Sequence, residues 1–270
     1  AAARHADALR EVRQARTLRP EWDLPVLLEA QLMQTEAPAT ALATVKIFLD
    51  DYPEAEEARL FYARALLEQK QYRESRIQFQ LLHKKKPENA DLAFAIALLS
   101  LQMGELDRAE SELKQMLVAG KKDSVTVHYY LAQLSEAKKN DTNALQEYRQ
   151  VTHGEYVFAS RLRMAYLLEK AGSLKEAREV LQQTEAINNQ QRAQLILTEG
   201  QMLRDAKQYD EAFRVLSSGL GKLPDNPELL YEAAIVADKR GKADTFEVML
   251  RRLIKVAPDH AHAYNALGYS

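Results

Sequence analysis

The chain has 270 residues, 46% hydrophobic and 28% charged, the balance of a folded protein rather than a disordered one. Its net charge of −2 leaves no electrostatic footprint for nucleic acid or an anionic membrane, and the lack of cysteine excludes disulfides and thiolate metal sites. Nine Gly and eight Pro punctuate a composition dominated by helix-forming Ala, Leu, Glu, Gln, Lys and Arg, and no run approaches 18 apolar residues, so an all-α protein without a membrane-spanning helix is predicted.

A lone helix is expected from His5 to Leu18, closed by Pro20. Seven helical hairpins follow, starting near Asp23, Glu56, Ala90, Val125, Phe158, Ala193 and Pro227. A last helix opens at Ala261, which makes sixteen, and its pattern runs on to Ser270, as expected of a piece of a longer chain. Small residues mark every pair. The first helices carry Ala30, Ala63, Ala97, Ala132, Ala165, Gly200, Ala234 and Gly268, spaced 33 to 35 residues apart. The second helices carry Ala8, Ala41, Ser75, Ala109, Ala144, Ala177 and Ala212 at the same spacing, with Phe246 in the eighth place. Two ladders that keep step along the whole chain define an internal repeat. The stretch GQMLRDAKQYDEAFRVLSSGLGKLPDNP, residues 200–227, shows the design: Gly200 and Ala212 stand twelve apart, one on each helix, where close packing needs a small residue at the crossing.

Gly104, Gly172 and Gly241 fall between paired helices, where a left-handed residue stops the first of them. Lys84, Lys85 and Lys86, Lys121 and Lys122, and Lys138 and Lys139 sit at helix ends, where cations suit the negative end of the helix dipole. Two places deviate. HGEYVF (153–158) joins the fourth and fifth hairpins without a proline, and Phe246 overfills a small-residue position, so that hairpin is expected to open slightly.

These features resemble the tetratricopeptide repeat, a helix–turn–helix unit of 34 residues. The resemblance implies a right-handed α-solenoid with a half repeat over 1–22, seven repeats over 23–260 and a truncated half repeat over 261–270. Pro20, Pro53, Pro87, Pro224 and Pro258 stand where the family places its terminating prolines. Val45, Phe79, Leu113, Tyr148, Leu181, Leu216 and Leu250 fill its second-helix aromatic position. The family's early Trp is unmatched, and its first-helix Gly remains Gly only at Gly200 and Gly268.

The chain carries no phosphate loop, HExxH, GxSxG, EF-hand or CxxC pattern. His260 and His262, the one close histidine pair, have no carboxylate at ligand spacing and are read as incidental. A non-enzymatic protein with no cofactor and no metal is expected. The resemblance instead points to a concave groove lined by first helices. In its early part it takes Leu60 and Arg64, Phe94 and Leu98, and Tyr129 and Gln133. Further on it takes Leu162 and Tyr166, Leu197 and Gln201, and Tyr231 and Ile235. Leu27, Gln31, Asn265 and Tyr269 hold equivalent positions, and Glu136, Glu169, Arg204, Asp205, Asp238 and Lys239 border them. An apolar stripe with a charged rim suits an extended or helical peptide, with Tyr129, Tyr166 and Tyr231 as anchors, while the leucines read as core ahead of groove contacts.

Leu60/Arg64, Phe94/Leu98 and Tyr129/Gln133 do not match the Lys and Asn clamp of chaperone-binding family members, and the groove has no Asn ladder of the sugar-transferase kind. VAPDHAHA followed by YNALGYS is similar to proteobacterial outer-membrane lipoproteins of this family, some of which are adaptors for a periplasmic C-terminal-processing protease. That resemblance implies a scaffold that binds a protease or its substrates at the periplasmic face of the outer membrane, held there by a lipid anchor outside this stretch. Weak self-association through the cut ends is expected as well. The alternatives are a structural module of an envelope assembly system, for polysaccharide export or pilus biogenesis, or a regulatory arm of a larger enzyme. A cytoplasmic location remains the other reading.

Overall fold

A computed structural model of the protein describes residues 2–120 and 122–268, and among these it contains sixteen α-helices and no strand. They fall into two compact units that divide between Asn140 and Asp141. The first holds α1 (Ala2–Leu18), α2 (Asp23–Met33), α3 (Pro38–Asp51), α4 (Glu56–Glu68), α5 (Tyr72–Lys85), α6 (Ala90–Gln102), α7 (Leu106–Ala119) and α8 (Ser124–Ala137). The second holds α9 (Asp141–Arg149), α10 (Val157–Lys170), α11 (Leu174–Gln182), α12 (Asn189–Asp205), α13 (Tyr209–Lys222), α14 (Pro227–Lys239), α15 (Ala243–Val256) and α16 (Ala261–Gly268). Even-numbered helices are the first members of the repeats and odd-numbered helices the second. Within each unit every helix packs on the next in sequence, so stability is a sum over neighbouring interfaces.

Boundaries follow local chemistry. α12 begins at Asn189 rather than near Ala193, because the Asn188 side chain accepts from the Gln191 N–H at 2.8 Å and caps an earlier start. α1 likewise starts at Ala2, ahead of His5. α9 and α11 have nine residues each, against fourteen in α13 and α15, so the second helices are cut short on both sides of α10. α1, α3, α5, α13 and α15 all stop two residues before their proline.

Between Ala30 and Phe246 both small-residue ladders are buried. Ala30, Ala63, Ala97, Ala132, Ala165 and Ala234 in the first helices are 0% exposed, as are Ala109, Ala144, Ala177 and Ala212 in the second. Direct contact between the ladders is visible where the second-helix residue is polar: Ser75 Oγ donates to the Ala63 carbonyl at 2.7 Å. At Gly200 the contact differs from the expected pairing with Ala212. The space that a Cβ would occupy is filled by Leu216, whose Cδ2 would lie 2.7 Å away, because the missing side chain lets the leucine one turn beyond Ala212 seat against the backbone. Phe246 is buried among Leu250, Leu253 and the alanines of α14. Gly268 is exposed, with nothing near its Cα, and does not act as a crossing residue.

The turn inside the six hairpins from α4–α5 onward repeats as well. Gly104, Gly172 and Gly241 have φ of 73°, 82° and 69°, and the equivalent positions elsewhere are Lys70, Lys139 and Lys207, each at 59°. In every case the following residue's N–H reaches back to close the helix end, as from Gln208 to the Leu203 carbonyl at 2.8 Å and from Glu105 to Ser100 at 2.9 Å. A lysine in this conformation is strained where glycine is not. Lys207→Gly should therefore raise the unfolding free energy by about 0.5 kcal/mol, net of glycine's own entropy cost, as read from a urea denaturation midpoint.

Polar ties bind one repeat to the next. The end of a first helix reaches the start of the preceding second helix in Lys138–Asp107 (2.5 Å), Lys170–Asp141 (2.5 Å) and Arg240–Asp210 (2.7 Å). Gln69 makes the same reach to the Pro38 carbonyl at 3.1 Å. Lys85 and Lys86 are engaged with Glu54 and Glu56, so the lysines before Pro87 do more than face a helix dipole.

Candidate functional site

The first-helix positions separate into core and surface once packed. In the first unit Leu60 lies against Ala63, Phe79 and Ile96, and Phe94 against Ala97 and Leu113, while Arg64 is exposed and Leu98 and Gln133 are half-buried. The Phe94 ring meets Tyr130 edge-on with centroids 5.2 Å apart, and Tyr130 meets Tyr129 in the same way at 5.3 Å. Lys122 stands 5.0 Å over the Phe94 ring while pairing with Asp91 at 2.7 Å. It therefore borders the candidate site. Lys121 and Tyr269 fall outside the described residues.

In the second unit Leu162 packs against Ala165, Ala177 and Leu181, and Leu197 and Tyr231 pack on the large cluster around Leu216, Leu229 and Leu250. Tyr166 is different. It is 46% exposed on α10, with the Arg163 guanidinium 4.8 Å over its ring. Ile235 is half-buried. The leucines at these positions, Leu27 included, are thus partners of the core, and Tyr166 and Arg64 present open surface. Gln31 and Asn265 are exposed too.

His260 has a local structural part that its spacing did not show. The His260 and His262 rings approach Tyr231, at 5.3 and 6.4 Å between centroids, and His260 Nδ1 accepts from the Ala263 N–H at 3.2 Å, capping α16.

Three buried carboxylates went unread in the sequence. Glu29 accepts from Arg13 Nε at 2.8 Å and Arg16 Nη1 at 3.1 Å. Glu199 accepts from Arg178 Nε at 2.9 Å and Gln182 Nε2 at 2.7 Å, and Arg178 continues to Glu211 at 2.8 Å. Glu29 and Glu199 each fasten a first helix to the second helix before it. The signal was present, since Glu29 and Glu199 immediately precede Ala30 and Gly200 and so face inward by register.

Glu232 joins α14 to α12 through Arg204 and Gln201, which turns the candidate groove residue Gln201 into part of a polar cluster with Asp205. Burial pushes the Glu232 carboxyl above its ordinary range, with Arg204 opposing. A raised pKa means that the folded state holds the proton more tightly. The stability this provides is present below the ordinary carboxylate value and is lost as pH rises through the raised one. Glu232→Gln, which keeps the shape and an acceptor for Arg204, should flatten that loss. Its melting temperature should equal or exceed the parent's at neutral pH and fall behind at acid pH.

Paired helices crossing at buried small residues, with tyrosine and arginine left open on first helices, define a helical-repeat scaffold. The chain belongs to the tetratricopeptide repeat family: family models for this repeat match residues 32–90, 92–156 and 203–268, more than half of it. It is 35% identical over 143 residues to TPR repeat-containing protein PA4667 of Pseudomonas aeruginosa, a match covering 53% of this chain and 24% of that protein. The chain thus corresponds to about a quarter of the curated relative's length. Among solved structures it is similar to the C-terminal part of a TPR repeat-containing protein from Cytophaga hutchinsonii, at 18% identity and a TM-score of 0.59, covering 75% of this chain and 81% of that one. A tetratricopeptide repeat protein from Parabacteroides merdae follows at 11% identity and 0.52, covering 97% and 98%. Pseudomonas aeruginosa PilF gives 14% and 0.51, covering 81% and 99%. At these identities the three structures share the α-solenoid fold.

Proposed function

We propose that this chain is a non-catalytic docking scaffold whose first helices receive a protein or peptide, and that the partner is a periplasmic C-terminal-processing protease or a substrate it delivers. Proteins of this repeat family generally mediate protein–protein interaction, and α10 offers an open aromatic side chain on a first helix for it. The observation that carries the reading is Tyr166, a large aromatic ring held open beside Arg163 on a first helix. Aromatic and arginine side chains are the residues that most often dominate binding energy. The choice of partner, and with it the proposed position at the periplasmic face of the outer membrane within a longer, lipid-anchored protein, is supported by the similarity of VAPDHAHAYNALGYS to the outer-membrane lipoproteins. Purified protease from the same cell, titrated against the chain, should bind saturably and lose affinity when Tyr166 is removed. No binding of protease or substrate at millimolar concentration would reject this partner and leave the scaffold reading to be tried on envelope-assembly proteins.

A further inference from the structure

The helices α6 and α14 begin alike. Asn89 and Asn226 cap them, each side chain accepting from backbone N–H groups of the first turn. Asp91 and Glu228 come second in the helix, and Phe94 and Tyr231 follow three residues later. Residues three apart on a helix are neighbours on one face, so each acid stands beside its ring. In the repeat register these are the sixth and third places before the small residues Ala97 and Ala234, and only α6 and α14 of the described first helices put an acid and an aromatic ring there. By contrast α4 has Glu57 with Leu60, and α8 has Thr126 with Tyr129.

On α6 the pair is filled from within the protein. Lys122 Nζ pairs with Asp91 at 2.7 Å and stands 5.0 Å from the centroid of the Phe94 ring, so one ammonium is held by a carboxylate and a ring together. On α14 the register of Lys122 falls to Pro258, which carries no charge. Glu228 is exposed, its carboxylate has no partner among the described residues, and no lysine or arginine among them stands over Tyr231. Tyr231 is met instead by the rings of His260 and His262, whose centroids lie 6.1 Å from each other. His260 does not replace the lysine. Its Nδ1 accepts from the Ala263 N–H, which a positively charged imidazole cannot do, and it makes no bond to Glu228.

We propose that Glu228 and Tyr231 form a binding site for the ammonium group of a partner's lysine, with the His260 and His262 rings extending its aromatic wall. The ligand chemistry is that of the occupied copy on α6, where the same two residue types at the same spacing hold Lys122. A lysine stem lies readily along ring surface while its head reaches a carboxylate. Asp259, exposed and unpaired beside His260 in the chain, adds a second negative charge without a cation of its own. The site is on the first-helix face, so the inference rests on the docking reading for the source of the lysine and names one side chain that the partner presents.

The test titrates the chain with Nα-acetyl-lysinamide and with Nα-acetyl-norleucinamide, which has an uncharged stem, in mildly alkaline buffer while ring NMR signals are followed. The lysine amide should shift Tyr231 and His260 and bind about fivefold tighter than the norleucine amide, the worth of an exposed cation–π contact and ion pair together. Phe94, already supplied with its cation, should not move. Glu228→Gln should abolish the preference, and Tyr231→Phe should keep it, because Phe94 serves on α6 without a hydroxyl. Lys122→Met, which empties the α6 copy, should add lysine-dependent shifts at Phe94. The comparison of the two amides on the parent needs no variant, so it stands even if a variant misfolds. Equal binding of both amides, no shift at Tyr231, an undiminished preference in Glu228→Gln, or a silent Phe94 in Lys122→Met overturns the proposal. No protease is present in this experiment, so its failure leaves the Tyr166 reading standing, and failure of protease binding leaves this site standing.

Discussion

Gly200→Val should lower the unfolding free energy by about 3 kcal/mol, the upper part of the usual range for overpacking a core. A Cβ at Gly200 would lie 2.7 Å from Leu216 Cδ2 and 2.8 Å from Cγ, and Leu216 is fully buried, so it has nowhere to retreat. Two further methyl groups deepen the clash. The contrast is Gly221→Ala, on the exposed side of α13, where an added Cβ meets nothing within 4 Å. That change should stabilise by about 0.5 kcal/mol through helix propensity alone. Urea midpoints of the two variants decide the matter, and a parent-like midpoint for Gly200→Val would remove Gly200 from the helix crossing.

Tyr166→Ala should weaken binding to the protease or its substrate by tenfold or more, since a central aromatic commonly contributes about 2 kcal/mol when truncated. The fold should survive almost unchanged, because the ring is open to solvent and belongs to no buried cluster. Tyr231 makes a poorer probe: it packs on the core and on His260, so its loss would confuse folding with binding. Lys175 on α11, exposed and only loosely paired with Glu179 at 3.9 Å, provides the control, and Lys175→Ala should bind normally. Loss of affinity in Lys175→Ala with Tyr166→Ala intact would move recognition to the second helices.

The repeat was legible because steric demand at a helix crossing admits few residue types, and Ala63, Ala97, Ala132 and Ala165 answer it at one spacing. Turns were half legible. Gly104 announces a left-handed residue, whereas Lys70 and Lys207 adopt the same conformation without any compositional sign. The candidate site was harder to read for a physical reason. A side chain facing a groove and one facing the next helix share the same period, so Leu60, Leu162 and Leu197 look like Tyr166 until packing separates them. Glu29 and Glu199 were missed because charge suggests a solvated face, and only a partner on another helix makes burial tolerable.

The ties Lys170–Asp141 and Arg240–Asp210 join different repeats by the same reach from helix end to helix start. A joint that recurs in one form is interchangeable. Duplicating or excising one whole repeat inside a unit brings together two surfaces already matched in shape and charge, so array length can drift by gene duplication without a new interface having to be invented. The open side chains, which no joint uses, are then free to diversify from one repeat to the next.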